Sequence, residues 1–252
     1  LCVALIVATG AAAQKMEGLA ETPPMGWNSW NTFGHEINAQ VVMETADAFV
    51  SAGLAEAGYE YVVIDDLWEA DERVQGRLTW DVEKFPDGIP ALAEYVHEKG
   101  LKFGIYSCAG SHTCAGKPAS YGYEEVDALT FAEWGVDYLK YDFCYAPPGV
   151  DGPALYRRMG QALRATGRPI LFSVCEWGRH KPWEWAASTG AHIRDVIPTK
   201  APSTRPDQIR QMERWKSELG AYVLADITPA LIAKVRDTLI QETSPSTSRV
   251  KP

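Results

Sequence analysis

The sequence predicts an α/β fold of the (β/α)8 TIM-type barrel class, and two observations carry that prediction. Short runs of β-branched and aromatic residues alternate with longer helical patterns, as expected for parallel strands joined by crossover helices. The predicted strands end at Asp65, Ser107, Asp142 and Cys175, and polar, aromatic or glycine residues follow each end, as they do around the mouth of a barrel. A doubly wound sheet is the alternative, but the glycine-rich phosphate loop that usually follows its first strand is missing from the sequence.

Local patterns place each element in turn. A first strand at 24–28 precedes a helix at 39–52, and further strands fall at 59–65, 101–107, 136–142 and 170–174. Helices are predicted at 89–99, 124–134, 153–165 and, in short form, near 183–188. Gly100 and Gly135 end two of these helices and Gly167 lies beyond a third, where a glycine stop is expected.

Chain length limits how much of a barrel the sequence can hold. Its 252 residues, 46% of them hydrophobic, match one barrel domain. The 110 residues from Asp65 to Cys175 hold three strand–helix repeats of about 37 residues each, whereas only 56 residues follow Val196. We therefore expect strands 1–6 within 14–196 and a barrel incomplete at its C-terminal end. The tail at 197–252 is expected to be divergent, helical and then disordered.

The first residues predict export. Residues 1–9 are almost wholly apolar and GAAAQ follows at 10–14, a pattern typical of a secretory signal and its cleavage site. We expect 1–13 to be a signal remnant and the mature protein to be secreted or periplasmic, where disulfides persist. A buried first strand is the alternative, and the run is too short to span a membrane.

Charge and cysteine content narrow the possible partners. The net charge of −9 argues against nucleic acid or an anionic membrane as a partner, and the sequence leaves the oligomeric state open. There is no CxxC pair, no histidine at metal-ligand spacing and no cofactor motif, so neither metal nor cofactor is expected. Cys114 and Cys144 lie in loops after consecutive strands, where a bridge would staple the loop following Asp142. A catalytic cysteine is the alternative, but it lacks a convincing histidine partner.

Asp142 is the strongest candidate for chemistry. It closes a strand two residues after Lys140, so both side chains point to the same face, into the barrel mouth. An ammonium group nearby lowers the pKa of a carboxyl group, which suits a nucleophile better than an acid. A structural ion pair is the alternative interpretation.

Acidic and aromatic residues at other strand ends point to carbohydrate chemistry. Asp65 and Asp66 could accept hydrogen bonds from a polyol, although only one enters the mouth unless the backbone turns there. A metal site is the rival interpretation of this pair. Five aromatic residues predict a platform for the apolar face of a sugar ring, with core packing as the alternative. They are Trp27, Trp30, Trp68, Tyr106 and Trp177, and Glu176 adds a further acceptor.

Six ordered motifs resemble glycoside hydrolase family twenty-seven, the α-galactosidase (melibiase) family, over about 22–192. The motifs are TPPMGWNSWN at 22–31, IDD at 64–66, KFGIYS at 102–107, TCAG at 113–116, WGVDYLKYD at 134–142 and CEWG at 175–178. The resemblance implies a (β/α)8 barrel followed by an antiparallel β domain, for which this chain has no room. It also implies retaining hydrolysis of terminal α-linked galactose.

Carried over by motif, Asp142 is the nucleophile and a Cys114–Cys144 disulfide lies beside it. The implied galactose pocket consists of Trp30, Asp65, Asp66, Tyr106, Lys140, Glu176 and Arg194.

The acid/base motif is where the sequence departs from the family. The family has an arginine followed four residues later by the acid/base aspartate, whereas Pro198 lies four residues after Arg194. Asp195 is the candidate substitute, and Asp226 echoes the motif about thirty residues too late. A changed reading frame and a divergent tail both explain the loss of resemblance after Val196.

We therefore expect a secreted, retaining glycosidase that acts on α-galactosides of oligosaccharides or polysaccharides. An α-N-acetylgalactosaminidase of the same family is one rival, although Glu176 favours galactose. A truncated, catalytically impaired galactose-binding remnant is the other.

Overall fold

A computed structural model describes residues 19–20, 23–186 and 191–193 of the chain, and six of its strands form one parallel sheet in chain order. The predicted α/β class with parallel strands is confirmed. The strands are β1 (Gly26–Asn28), β2 (Tyr61–Val63), β3 (Lys102–Cys108), β4 (Tyr138–Asp142), β5 (Leu171–Val174) and β6 (Ala191–Ile193). Expectations for 1–13, for 197–252 and for Arg194, Asp195 and Asp226 fall outside the described residues.

The helices between the strands agree with the predicted ones to within two residues at most ends. They are α1 (Trp30–Phe33), α2 (Ala39–Ser51), α3 (Gly88–Glu98), α4 (Glu124–Glu133), α5 (Gly152–Ala165) and α6 (Pro182–Trp185), with a 3₁₀ turn at Gly34–Glu36. The sequence patterns missed α1 and the 3₁₀ turn, which are too short to show helical periodicity. None of the helices in the described part is long and apolar enough to cross a bilayer.

Side-chain and backbone signals at the helix ends explain their limits. The side chain of Asn38 accepts a hydrogen bond from the amide of Val41 and caps α2, and Asp151 caps α5 in the same way. The glycines predicted to stop α3, α4 and α5 adopt φ angles of 75°, 79° and 75°. That left-handed conformation costs glycine little, so these stop signals operate as predicted.

The sheet has two differently covered faces, which we call the helix face and the inner face. On the helix face, Val62, Phe103 and Leu139 join the main core together with helix residues such as Ile89 and Phe131. On the inner face, Tyr61, Val63 and Leu171 form a separate small cluster with Tyr138 packed against it. Because successive strand residues alternate between faces, the face of each site residue follows from its position in the strand.

Candidate active site

Residues of the inner face gather at the carboxyl ends of β2, β3 and β4. We call Asp65, Tyr106, Lys140 and Asp142 the mouth cluster. The ammonium group of Lys140 lies 2.6 Å from Oδ2 of Asp65 and 5.1 Å from the centre of the Tyr106 ring. Tyr106 and Lys140 are direct register partners in the β3–β4 pair. The structure thus brings together four residues that the sequence placed at three separate strand ends.

Two hydrogen bonds hold Asp65 in addition to its ion pair with Lys140. Its Oδ2 also accepts a hydrogen bond of 2.7 Å from Nδ2 of Asn28, at the end of β1. Its backbone amide donates to Oγ of Ser29 at 2.9 Å. The carboxylate is buried, and a buried charge needs such partners to offset the loss of hydration.

The backbone turns sharply at Asp65–Asp66, so both carboxyl groups accept hydrogen bonds near the mouth. The amide of Asp66 donates to Oδ1 of Asp65 at 3.0 Å, and the next residue, Leu67, adopts a φ of 78°. Oδ2 of Asp66 accepts the amide of Ala115 at 2.8 Å, in the loop after β3. Burial raises the pKa of the Asp66 carboxyl group, whereas hydrogen bonds from the Thr113 side chain and the Ala115 amide act in the opposite direction.

Glu69 is a wholly buried carboxyl group that the sequence analysis missed. The amide of Leu67 donates both to Oδ1 of Asp66 at 2.9 Å and to Oε2 of Glu69 at 3.1 Å. Oε1 of Glu69 is buried and has no hydrogen-bond partner within the described residues. Burial, followed by the negative charge of Asp66, raises the pKa of Glu69 well above its ordinary value. The signal available in the sequence was an acidic residue next to Trp68, directly after the Asp65–Asp66 pair.

Asp142 ends β4 with its side chain 5% exposed. Its Oδ1 accepts the amide of Phe143 at 2.8 Å. Lys140 lowers the pKa of Asp142 as expected, but the net shift of that pKa is upward. Burial is the largest effect and raises the pKa, and the Phe143 amide and the Lys140 charge offset it only in part.

Cys175 is a second residue that the sequence analysis did not assign to the site. Its amide donates to the carbonyl of Tyr141 at 2.9 Å, which sets it beside Asp142 across the β4–β5 pair. The thiol favours the charged form of the Asp142 carboxylate, in part against the effect of burial. Burial, followed by the negative charge of Asp142, raises the pKa of the Cys175 thiol to about 11.

Glu176 has a different environment from the mouth cluster. Its Oε2 accepts hydrogen bonds from the amide of His180 at 2.8 Å and from Nδ1 of His180 at 2.9 Å. Its other oxygen is buried without a partner in the described part of the chain. None of the hydrogen bonds described for Glu176 reaches the mouth cluster, so its predicted place in a sugar pocket stays a prediction.

The disulfide between Cys114 and Cys144 is present and adjoins Asp142. The two sulfur atoms and one Asp142 oxygen all lie within 4.8 Å of one another. Among the described residues, these three side chains form the one set of His, Cys, Asp or Glu side chains whose ligand atoms lie close enough together to hold a metal ion. Its two cysteines are already bonded to each other, which removes the thiolates a metal would need.

The loops after β3 and β4 are joined at several points around this disulfide. The amide of Ala109 donates to the carbonyl of Asp142 at 2.9 Å, and the amide of Ser111 donates to the carbonyl of Tyr145 at 3.2 Å. A Cβ atom on Gly110 would lie 1.9 Å from the carbonyl oxygen of Cys144, so only glycine permits this approach. The two loops therefore form one rigid wall of the mouth.

The structure places two of the five predicted platform residues in or against the core, and a sugar-binding role of the other three stays a prediction. Trp68 belongs to the helix-face core, where its ring packs edge-on against Trp134 and its Nε1 donates to the Tyr106 carbonyl at 2.9 Å. Trp27 also packs against that core. Trp30 and Trp177 are exposed, and Tyr106 is buried within the mouth cluster. The turn at Asp65–Asp66 explains the error at Trp68, because it interrupts the alternation of side chains before that residue.

The matches to known proteins cover the part of the chain that holds the mouth cluster. The family model described as alpha galactosidase A, a melibiase, matches residues 22–201. The alpha-galactosidase A of Cellvibrio japonicus is 52% identical over 201 residues, which are 79% of this chain and 50% of that protein. The alpha-galactosidase of Cyamopsis tetragonoloba is 56% identical over 175 residues, 69% of this chain and 42% of that protein.

Solved structures give the same result. Alpha-galactosidase I from Mortierella vinacea superposes with a TM-score of 0.66 at 49% identity, covering 68% of this chain and 45% of that one. The Saccharomyces cerevisiae alpha-galactosidase with raffinose gives 0.68 at 40% identity, covering 72% and 41%. The chain thus spans about half the length, or less, of the relatives it matches.

Proposed function

The chain belongs to the alpha galactosidase A (melibiase) family, and on that premise we propose that it hydrolyses terminal α-linked galactosyl residues of oligosaccharides or polysaccharides. The observation that carries the proposal is the position of Asp142 at the carboxyl end of β4, next to the Lys140–Asp65 ion pair. A buried carboxylate beside hydroxyl-binding groups suits attack on a sugar carbon.

Asp142 acts as the nucleophile of a retaining reaction in this proposal. Its carboxylate attacks the anomeric carbon, the bond to the leaving oxygen breaks, and a galactosyl ester forms on Asp142. Water then cleaves the ester and restores the original configuration. The Phe143 amide donates to the carboxylate, and both this amide and the Cys175 thiol support its charged form against the effect of burial.

The remaining groups of the site bind the sugar. Asp65 and Asp66 accept hydrogen bonds from hydroxyl groups, Lys140 donates to them, and Tyr106 provides a neutral hydroxyl group. Burial raises the pKa of Tyr106 far above its ordinary value, so this phenol stays protonated. Trp30, Glu176 and Arg194 complete the proposed pocket on the resemblance to the family.

The general acid is proposed to be Asp195. It would protonate the leaving oxygen and then activate water, as a retaining mechanism requires. An activated leaving group needs little protonation, so Asp195→Asn should abolish hydrolysis of melibiose and spare that of α-galactosyl fluoride. Equal loss with both substrates would remove Asp195 from this role.

The nucleophile can be tested by removing it and supplying another. The wild-type chain should hydrolyse 4-nitrophenyl α-galactoside, release galactose first as the α-anomer by NMR, and leave the N-acetylgalactosaminide intact. Asp142→Gly should be inactive in water and should form β-galactosyl azide when azide is added. A wild-type chain without turnover, or an active Asp142→Gly variant, would refute the proposal.

We propose further that the protein works in an oxidising compartment, secreted or periplasmic. The Cys114–Cys144 disulfide beside Asp142 supports this, because such bonds persist outside the reducing cytosol. Cell fractionation followed by thiol labelling would test it. A chain recovered in the cytosol with both thiols free would contradict it.

A further inference from the structure

We propose that Tyr145 and His112 form a subsite for the second sugar of the substrate, the ring that leaves when the galactosyl bond is cleaved. The inference rests on the proposed function and adds to it the residues that bind the leaving sugar. Tyr145 belongs to the loop after β4, and His112 belongs to the loop after β3.

The Tyr145 ring is displayed to solvent at the rim of the mouth. Tyr145 is 61% exposed, the largest exposure among the aromatic residues of the described chain. Its ring meets the His112 ring edge-on, with the ring centres 5.8 Å apart. Nδ1 of His112 is hydrogen-bonded to Oγ of Ser111 at 3.0 Å, which fixes the orientation of the imidazole.

The backbone under this pair is rigid. The Tyr145 carbonyl accepts the Ser111 amide, and Tyr145 directly follows Cys144, which is tied to Cys114 by the disulfide. Gly110 allows the close approach, since a Cβ atom there would lie 2.6 Å from the Tyr145 carbonyl oxygen. A preorganised aromatic pair loses little freedom when it binds a ligand.

The conformation of Tyr145 is costly for a non-glycine residue. Its φ is 49°, in the left-handed region, where a tyrosine is strained and a glycine is not. Strained residues persist where surrounding contacts enforce them, and they concentrate at ligand sites. A ring that is largely exposed and meets His112 edge-on gains little packing to offset the strain.

The position of the pair relative to Asp142 identifies its ligand. Tyr145 is three residues after Asp142, a distance of at most about 10 Å along the chain. Asp142 is buried and would contact the galactose, so the ring attached to galactose must lie toward the rim. The C–H groups on one face of a pyranose are apolar and pack on an aromatic ring.

Trp177, the other strongly exposed ring of this region, is less suited to the same ligand. The guanidinium group of Arg179 lies 4.5 Å from the centre of its ring and covers one face. No such contact with a cation is described for Tyr145 in the structure. The geometry therefore selects Tyr145, with His112 bracing it, as the surface for the second sugar.

Binding measurements in an Asp142→Asn background test the subsite without turnover. Isothermal titration would compare melibiose, which has the second sugar, with methyl α-galactoside, which lacks it. We expect melibiose to bind about five- to tenfold more tightly, as one aromatic contact allows. Tyr145→Gly removes the ring and relieves the strain, and we expect it to bring the ratio of the two dissociation constants to about one.

Two variants serve as controls for this measurement. Tyr145→Phe keeps the ring and should keep the ratio, and so should Tyr95→Ala, which removes an aromatic ring from α3 on the helix face. A ratio unchanged by Tyr145→Gly would overturn the subsite and leave the proposed function intact. Failure of Asp142→Asn to bind methyl α-galactoside would overturn the proposed function and the subsite with it.

Discussion

Replacing Glu69 by glutamine should stabilise the protein, and the gain should grow with pH. Glu69 is wholly buried, lies beside the charged Asp66 and shares the Leu67 amide with it. Glutamine has nearly the same shape and can still accept that amide through its carbonyl oxygen. It never ionises, so it removes the need to keep a buried carboxyl group protonated.

The change of this stability gain with pH follows from the direction in which folding shifts the pKa of Glu69. The folded state raises the pKa of Glu69 well above its ordinary value of 4.5. A carboxyl group of this kind contributes fully to stability below its unfolded pKa, and the contribution is lost as the pH rises through the folded pKa. The difference in unfolding free energy between variant and wild type should therefore be constant below about pH 4.5. Above that it should rise by about 1.4 kcal/mol per pH unit while Glu69 stays protonated in the fold.

Urea unfolding of wild type and Glu69→Gln, repeated from pH 4 to pH 7.5, measures this difference directly. Taking the difference removes the contributions of groups that do not interact with Glu69, because both proteins keep those residues. Glu94→Gln, at an exposed position of α3, shows the effect of losing a solvated carboxylate. A Glu69→Gln difference that stays flat across the range, or that falls with pH, would refute the reasoning.

Three further changes have defined outcomes. Lys140→Met leaves Asp65 buried without its ammonium partner and should lower the free energy of unfolding in urea by about 3–5 kcal/mol. Adding Asp65→Asn to the same chain should restore part of that loss. An unchanged free energy of unfolding in Lys140→Met would show that the pair is not held in the fold. Cys114→Ser opens a disulfide that closes a separation of 30 residues and should cost about 2–4 kcal/mol, with a lower Tm; an unchanged Tm under oxidising conditions would contradict this. Gly110→Ala places a Cβ atom 1.9 Å from the Cys144 carbonyl oxygen, so it should force apart the loops that follow β3 and β4 and weaken galactose binding. Galactose binding as tight as in the wild type would argue against a rigid wall.

The sequence was sufficient to place five of the six strands of the described sheet, the glycine stops of three helices and the shared face of Lys140 and Asp142, whereas no pattern placed β6. These depend on periodicity and on local backbone preferences, which operate over a few residues. The pKa of Asp142 could not be predicted in the same way. Its direction depends on burial, which only the assembled sheet and its loops produce.

Two other differences between the prediction and the structure have a common cause, which is the direction of neighbouring side chains. The alternation that brings Lys140 and Asp142 together also separates Cys175 from Glu176, and it is Cys175 that reaches Asp142. The turn at Asp65–Asp66 interrupts the alternation, so Trp68 enters the core and Glu69 is buried beside Asp66. A turn that requires a φ of 78° at Leu67 has no signal in the sequence, because leucine rarely adopts it.

The order of the sheet has a consequence for synthesis. Each strand pairs with the one that precedes it in the chain, so the sheet can extend from its amino end as residues leave the ribosome. The Lys140–Asp65 pair is different, since it joins residues 75 positions apart and passes over β3. At the usual pace of translation that interval takes about 4–15 s. In the later part of this interval, after β3 has been translated, a nascent chain that paired β2 with β3 would hold the Asp65 carboxylate without its cation until translation of Lys140 supplied the missing charge.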